Sequence, residues 1–295
     1  MFYLSPKSLG LILTLFAATG FALKTILAKL AYSYGIDPLT LLTLRMGVAG
    51  TAFSSVLAYN LVAKRWNLRL SQKRWLLICW LSLFGYYLSS FLDFSGLVYV
   101  DANLGRMILF LYPTIVVILN SIIRREKIAL HIWLALILCY AGIALMLIPS
   151  FSHSSNNIIK GSLLIFSGAL TYSVYLVAVD RYFKTTDIIM YITLVMIISS
   201  LCVFTHFFIS HDITTLSVPF PVYLLALIMG LFSTVLPGYA ISAGIALIGA
   251  SKAATVSMSG PVLTLVMSYL ILGESISLIQ FVGMVLVILG VAKVK

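Results

Sequence analysis

Charge is what this chain has least of: of 295 residues only 9% are charged, and 8 acids face 19 bases. Soluble domains devote about a quarter of their residues to charge, so a water-covered globule of this length is excluded. Cysteine is also scarce. Cys79, Cys139 and Cys202 stand singly in apolar stretches with no Cys-x-x-Cys spacing, which argues against a zinc site or redox dithiol and leaves inert core- or lipid-facing thiols. Enzyme signatures are missing: there is no His-Glu-x-x-His, no phosphate loop, no Gly-x-Ser-x-Gly and no paired Asp at membrane depth. His131, His153, His206 and His211 fall near span ends or in loops and form no cluster with acids at depth. Neither catalysis nor a bound cofactor or metal is expected.

Apolar sequence fills the space. Hydrophobic residues make up 62% of the chain, in runs of the roughly 20 residues that a bilayer crossing needs. Length and polar breaks place helices near 8–30, 38–61, 74–94, 102–123, 131–149, 161–181, 188–210, 220–240, 250–272 and 276–293. The stretch from Leu9 to Leu23 behind Lys7 has the outline of a secretory signal, but no small-x-small cleavage site follows it, and it is read as the retained first helix. The expected fold is an all-α membrane protein of ten transmembrane helices whose surroundings are lipid.

The formal net charge is +11. The bases lie between apolar segments instead of on a polar face interleaved with aromatics, so nucleic acid is not an expected partner and the charges read as topology signals. Lys7, the group Lys64, Arg65, Arg69, Lys73 and Arg74, then Arg124, Arg125 and Lys127, then Arg181, Lys184, Lys252, Lys293 and Lys295 mark one side. By the positive-inside rule that side is the cytoplasm, and both termini belong there.

An internal repeat organises the chain. Residues 71–147 laid on the stretch 148 positions later match at Gly96 and Gly244, Pro113 and Pro261, Glu126 and Glu274, and Gly142 and Gly290, along with many Leu pairs. A shift of three more residues brings Gly10 onto Gly161 and aligns the first helix with the sixth. Five helices per repeat is an odd number, so residues 1–149 and 150–295 should be two halves inserted in opposite directions. Two similar halves that exchange conformations convert an inward-open state into an outward-open one.

The residues Gly20-Phe21-Ala22-Leu23-Lys24, Asp37-Pro38-Leu39-Thr40 leading to Leu44-Arg45, and the duplicated ends from Leu111-Tyr112-Pro113 to Arg125-Glu126-Lys127-Ile128 and from Ser259-Gly260-Pro261 to Gly273-Glu274-Ser275-Ile276 carry a resemblance. In their order, spacing and duplication the chain resembles the EamA-type family of the drug/metabolite transporter superfamily. Thr19 stands where that family usually has Trp, and Arg124-Arg125 where it usually has Leu-Gly. The resemblance implies a bacterial inner-membrane carrier, monomeric or homodimeric. It also implies a central cavity lined by helices one to four and six to nine, and export of amino acids or related metabolites. A passive channel, or a lipid-scrambling or scaffold protein, is the competing class.

Ionisable residues inside a span are costly and usually face a cavity or a partner. Lys24, Arg45, Asp93 and Arg106 all fall in the outer half of their spans, with Asp93 the one obvious acid among three bases. A ligand carboxylate or phosphate could meet the surplus, with Arg45 binding in a bidentate manner and Lys24 acting as a point charge. Tyr86, Tyr87, Tyr112, Tyr172 and Tyr175 lie at mid-depth, away from the interfacial belts. Tyr86, Tyr112 and Tyr172 are the expected aromatic walls. Pro113 and Pro261 are the only prolines related by the repeat, and are the expected hinges. Pro237-Gly238 adds a further break, and Ala250, Ala253, Ser257 and Gly260 form a small-residue stripe suited to helix contact.

Overall fold

The computed structural model describes residues 5–100, 105, 108–147, 157–182, 188–272 and 276–293. Arg106 and Glu274, together with Asp101, Lys184 and Lys295, lie outside the described residues. Every regular element among those described is helical: α1 (Pro6–Tyr32), α2 (Pro38–Val62), α3 (Gln72–Gly96), α4 (Tyr112–Arg124), α5 (Leu130–Leu147), α6 (Ile158–Tyr182), α7 (Ile188–Ser210), a short 3-10 turn, α8 (Phe220–Ile248), α9 (Ala250–Ser257), α10 (Gly260–Leu272) and α11 (Leu278–Ala292). Six of these, α1, α2, α3, α6, α7 and α8, are long and apolar enough to cross a bilayer.

Local chemistry sets the helix ends. Ser5 and Asp37 cap α1 and α2 with side-chain oxygens that accept from Ser8 N–H and from Leu39 and Thr40 N–H, each followed by a proline in the first helical position. There the missing proline N–H costs nothing, because it would have no partner anyway. Ser277 and Gln280 form a reciprocal capping box at α11. Arg125 closes α4 in the left-handed conformation, φ 55°.

The protein is apolar inside and out. Leu41, Met46, Phe53, Phe94 and Phe207 are buried together with polar residues such as Thr14, Ser82, Ser173 and Thr193, while Phe220, Leu130 and Ile137 stand exposed on the outside. An apolar exterior is stable in hydrocarbon and aggregates in water.

Glycines let backbones approach, and the contacts come in matched sets. A Cβ on Gly10 of α1 would strike Ile248, Leu247 and the Gly244 carbonyl of α8; one on Gly161 of α6 would strike Tyr99, Val100 and the Gly96 carbonyl at the end of α3. On α5 and α11, Gly142 meets Gly283 and Val287, and Gly290 meets Ala135 and Cys139. Each contact is the other displaced by 148 or 151 positions. The pairs α1 with α8, α3 with α6, α2 with α7 and α5 with α11 are the main helix contacts.

Two departures from the sequence reading concern continuity. The helix expected to stop near 240 runs on to Ile248. The helix expected as continuous over 250–272 is broken at Met258–Ser259 into α9 and α10. A turn at Phe110–Leu111 precedes α4 at the equivalent position. Both breaks fall two residues before a repeat-related proline, so Pro113 and Pro261 start new helical segments and do not bend continuous ones. α3 and α8 also share a distortion: each carries a π-helical stretch, Leu81–Leu88 and Leu231–Val235.

Candidate functional site

The broken helices and the π-helical stretches converge on one cavity of about 80 Å³, room for several waters at the 10–15 Å³ or so that each requires. Lys24 from α1, Arg45 from α2, Tyr86 and Asp93 from α3, Tyr112 from α4 and Tyr172 from α6 all line it. Six of the seven residues expected at the site are thereby brought together, Arg106 being outside the described residues. Phe110, Ser233 and Ser257 complete much of the wall. Of the other mid-depth tyrosines, Tyr175 stands behind the wall, stacked on Tyr172 with ring centroids 5.9 Å apart. Tyr87 turns away and hydrogen-bonds His206 Nδ1 at 2.8 Å.

The charges are not distributed as expected. Lys24 Nζ donates to Asp93 Oδ2 at 2.8 Å, with the two side chains 14% and 6% exposed. Lys24 is therefore neutralised by the acid, a pairing that composition cannot reveal. Arg45 forms no ion pair with an acid among the described residues. It is 1% exposed. Its guanidinium lies 4.8 Å from the Phe94 ring centroid, makes one long contact to Met46 Sδ at 3.8 Å, and has an Nε with no hydrogen-bond partner. A cation–π contact and a thioether offset only part of the cost of burying a guanidinium, which is several kcal/mol even after relaxation.

Aromatic rings form much of the wall. Phe110, Tyr112, Tyr172, Tyr175 and Tyr86 follow one another in edge-on, tilted or stacked contacts with centroids 5.4 to 6.1 Å apart. Gly260 opens α10 directly against the Phe110 ring, so the two helix breaks touch at the cavity wall. Such a chamber, with charged groups and aromatic rings on its wall, suits a small molecule with a charged head and an apolar body.

A second cavity, of about 300 Å³, lies at the other end of the bundle, lined by Arg124, Asn120, Asp180, Ser251 and Lys252. Gly10 of α1 packs on Ile248 of its wall, and Lys24 is fourteen residues further along α1, about 21 Å at 1.5 Å per residue. Here Arg124 donates to Asp180 Oδ2 at 2.7 Å and Asn120 to Ser251 Oγ at 2.9 Å. Asp180, with a side chain 4% exposed, was missed by the sequence reading because it stands beside Arg181 and looks like an ordinary span-end charge. Among the described residues no group of His, Cys, Asp and Glu is placed to hold a metal ion.

The model of the EamA-like transporter family matches residues 8–148 and again 159–294. Two Bacillus subtilis (strain 168) proteins are similar over most of their length: the uncharacterized transporter YyaM, 27% identical, with 90% of this chain and 86% of that one covered, and the uncharacterized transporter YcbK, 28% identical, with 93% and 88% covered. A crystal structure at 18% identity superposes with a TM-score of 0.78 over 96% of this chain and 97% of its own, a likeness of fold alone.

Proposed function

Because this chain belongs to the EamA-like transporter family, we propose that it is a secondary carrier of a small carboxylate-bearing metabolite. It works by alternating access, in the direction of export from a bacterial cytoplasm. Its ten spans form two inverted halves, 1–149 and 150–295, with both termini in the cytoplasm. The reciprocal glycine contacts of α1 with α8 and α3 with α6, and of α5 with α11, support that symmetry. So do the π-helical stretches and helix breaks at repeat-related positions. A family of transporters is also where an enzyme would not be sought.

The observation that carries the reading is Arg45, a buried cation with an unmet donor on the wall of an aromatic-lined cavity. An anion there would pair with the buried guanidinium, and a ligand that binds one conformation better than the other shifts a two-state equilibrium. Pro113 and Pro261, at the mouths of the broken helices, are the proposed hinges of the exchange. The test is purified protein in liposomes assayed with radiolabelled amino acids and aromatic carboxylates. Saturable uptake and trans-stimulated counterflow are expected, whereas a linear, unsaturable flux would assign the protein to the channel or scramblase class.

A further inference from the structure

Ser233 lies in the π-helical turn of α8, is 1% exposed, and has an Oγ with no hydrogen-bond partner. That is unusual for a serine in this protein. Ser82, Ser173, Ser200, Ser242 and Ser257 each donate to the carbonyl four residues back in their own helix, the normal way to satisfy a hydroxyl in an apolar span. The π turn changes the register of those carbonyls: Thr234 next door donates five residues back, to Met229. Ser233 is left with its hydroxyl unused at the wall of the cavity. A buried unsatisfied group costs about 1–3 kcal/mol and calls for an explanation.

The other unpartnered group on that wall is Arg45 Nε. Both line the same cavity, and their helices meet close by: a Cβ on Gly230, three residues before Ser233, would come 3.1 Å from the Arg45 carbonyl. Charge sets the class of occupant. Lys24 and Asp93 cancel, so the described ionisable groups lining the cavity carry one net positive charge. One net positive charge is balanced by a monoanion, and the planar Arg45 guanidinium offers a carboxylate's two oxygens a bidentate seat.

We propose that Arg45 and Ser233 form one carboxylate seat in which Ser233 donates to the ligand oxygen. The aromatic wall of Tyr112 and Tyr172 holds an apolar body of about the size of a phenyl ring. This rests on the carrier reading above and narrows its substrate to monoanionic carboxylates. The seat also has a thermodynamic signature that a structural serine lacks. Removing an unsatisfied buried hydroxyl relieves the empty protein, so Ser233→Ala should raise its melting temperature while weakening ligand binding.

The experiment is thermal unfolding of the detergent-purified full chain against benzoate, phenylacetate and phenylalanine, their amides, and inorganic phosphate. In the wild type at least one carboxylate raises the melting temperature, while its amide and phosphate do not. Ser233→Ala melts no lower than wild type without ligand and binds that carboxylate about tenfold more weakly, and Arg45→Lys retains weakened binding. Unchanged affinity in Ser233→Ala, phosphate binding as tightly as the carboxylates, or no stabilisation by any carboxylate overturns the seat. Transport itself stands or falls separately, on counterflow in liposomes with the wild-type chain, while the absence of stabilisation by any carboxylate would also withdraw the substrate class proposed above.

Discussion

Breaking the Lys24–Asp93 pair tests whether the cavity's charge balance is as the structure has it. At 2.8 Å, two unit charges attract by about 6 kcal/mol at an effective dielectric of 20. Taking both ions out of water costs several kcal/mol each, so the intact pair adds little net stability. The asymmetry appears when one partner goes. Asp93→Asn or Lys24→Met alone leaves a nearly buried charge uncompensated and should cost about 3–5 kcal/mol. Lys24 sits where its stem can snorkel, which favours the lower end of that range. At roughly 2–4 °C per kcal/mol for a chain of this size, each single variant should melt on the order of 10 °C below wild type in detergent. The double variant Lys24→Met/Asp93→Asn, with no charge left to strand, should recover most of the loss, giving a coupling energy above about 2 kcal/mol. Ligand preference should move with it: Asp93→Asn raises the cavity's net charge by one, so inorganic phosphate should begin to stabilise this variant. Additive losses in the double variant would refute the reasoning, because Lys24 and Asp93 would then not be compensating each other.

The loop between α2 and α3 and the first turn of α3 carry Lys64, Arg65, Arg69, Lys73 and Arg74; in the proposed orientation they face the cytoplasm, so a cysteine at Ser71 should resist a membrane-impermeant maleimide applied to whole cells, and labelling from outside would reverse that orientation. Replacing Pro113 or Pro261 with Ala lets α4 or α10 join the helix before it, and should lower the turnover rate several-fold while changing KM less than twofold. Unchanged transport in both variants would assign these prolines to packing. Asp180→Asn removes the ion pair that ties α6 to α4, and in a Ser251→Cys background should raise the rate at which the introduced thiol is labelled in inside-out vesicles; a rate equal to that of Ser251→Cys alone would mean the pair does not hold that end closed.

Most of the fold was legible because its signals are local or repeated. Hydropathy finds spans by averaging over some 20 residues, and the Asp37-Pro38 cap of α2 is written in two adjacent letters. The same averaging hides a break one turn long, so α9 and α10 read as one helix even though Gly260-Pro261 was visible. At the site, Lys24, Arg45 and Asp93 stood out because each is costly in lipid, whatever its neighbours are. Their pairing was not legible, since three bases and one acid leave open which base takes the acid. Ser233 was invisible for a different reason. A serine in a span ordinarily spends its hydroxyl on its own helix, so its chemistry depends on whether the carbonyl one turn back is in reach, and that is decided by the π register of α8. The corresponding stretch of α3 presents Tyr86 to the same cavity. One backbone distortion, present in both halves with different side chains, thus lines the chamber with an aromatic wall from one side and an unsatisfied hydroxyl from the other. Under the proposed alternating access, repeat-related backbone would keep the two halves able to exchange conformations, while the side chains it carries are free to diverge toward a ligand that has no such symmetry.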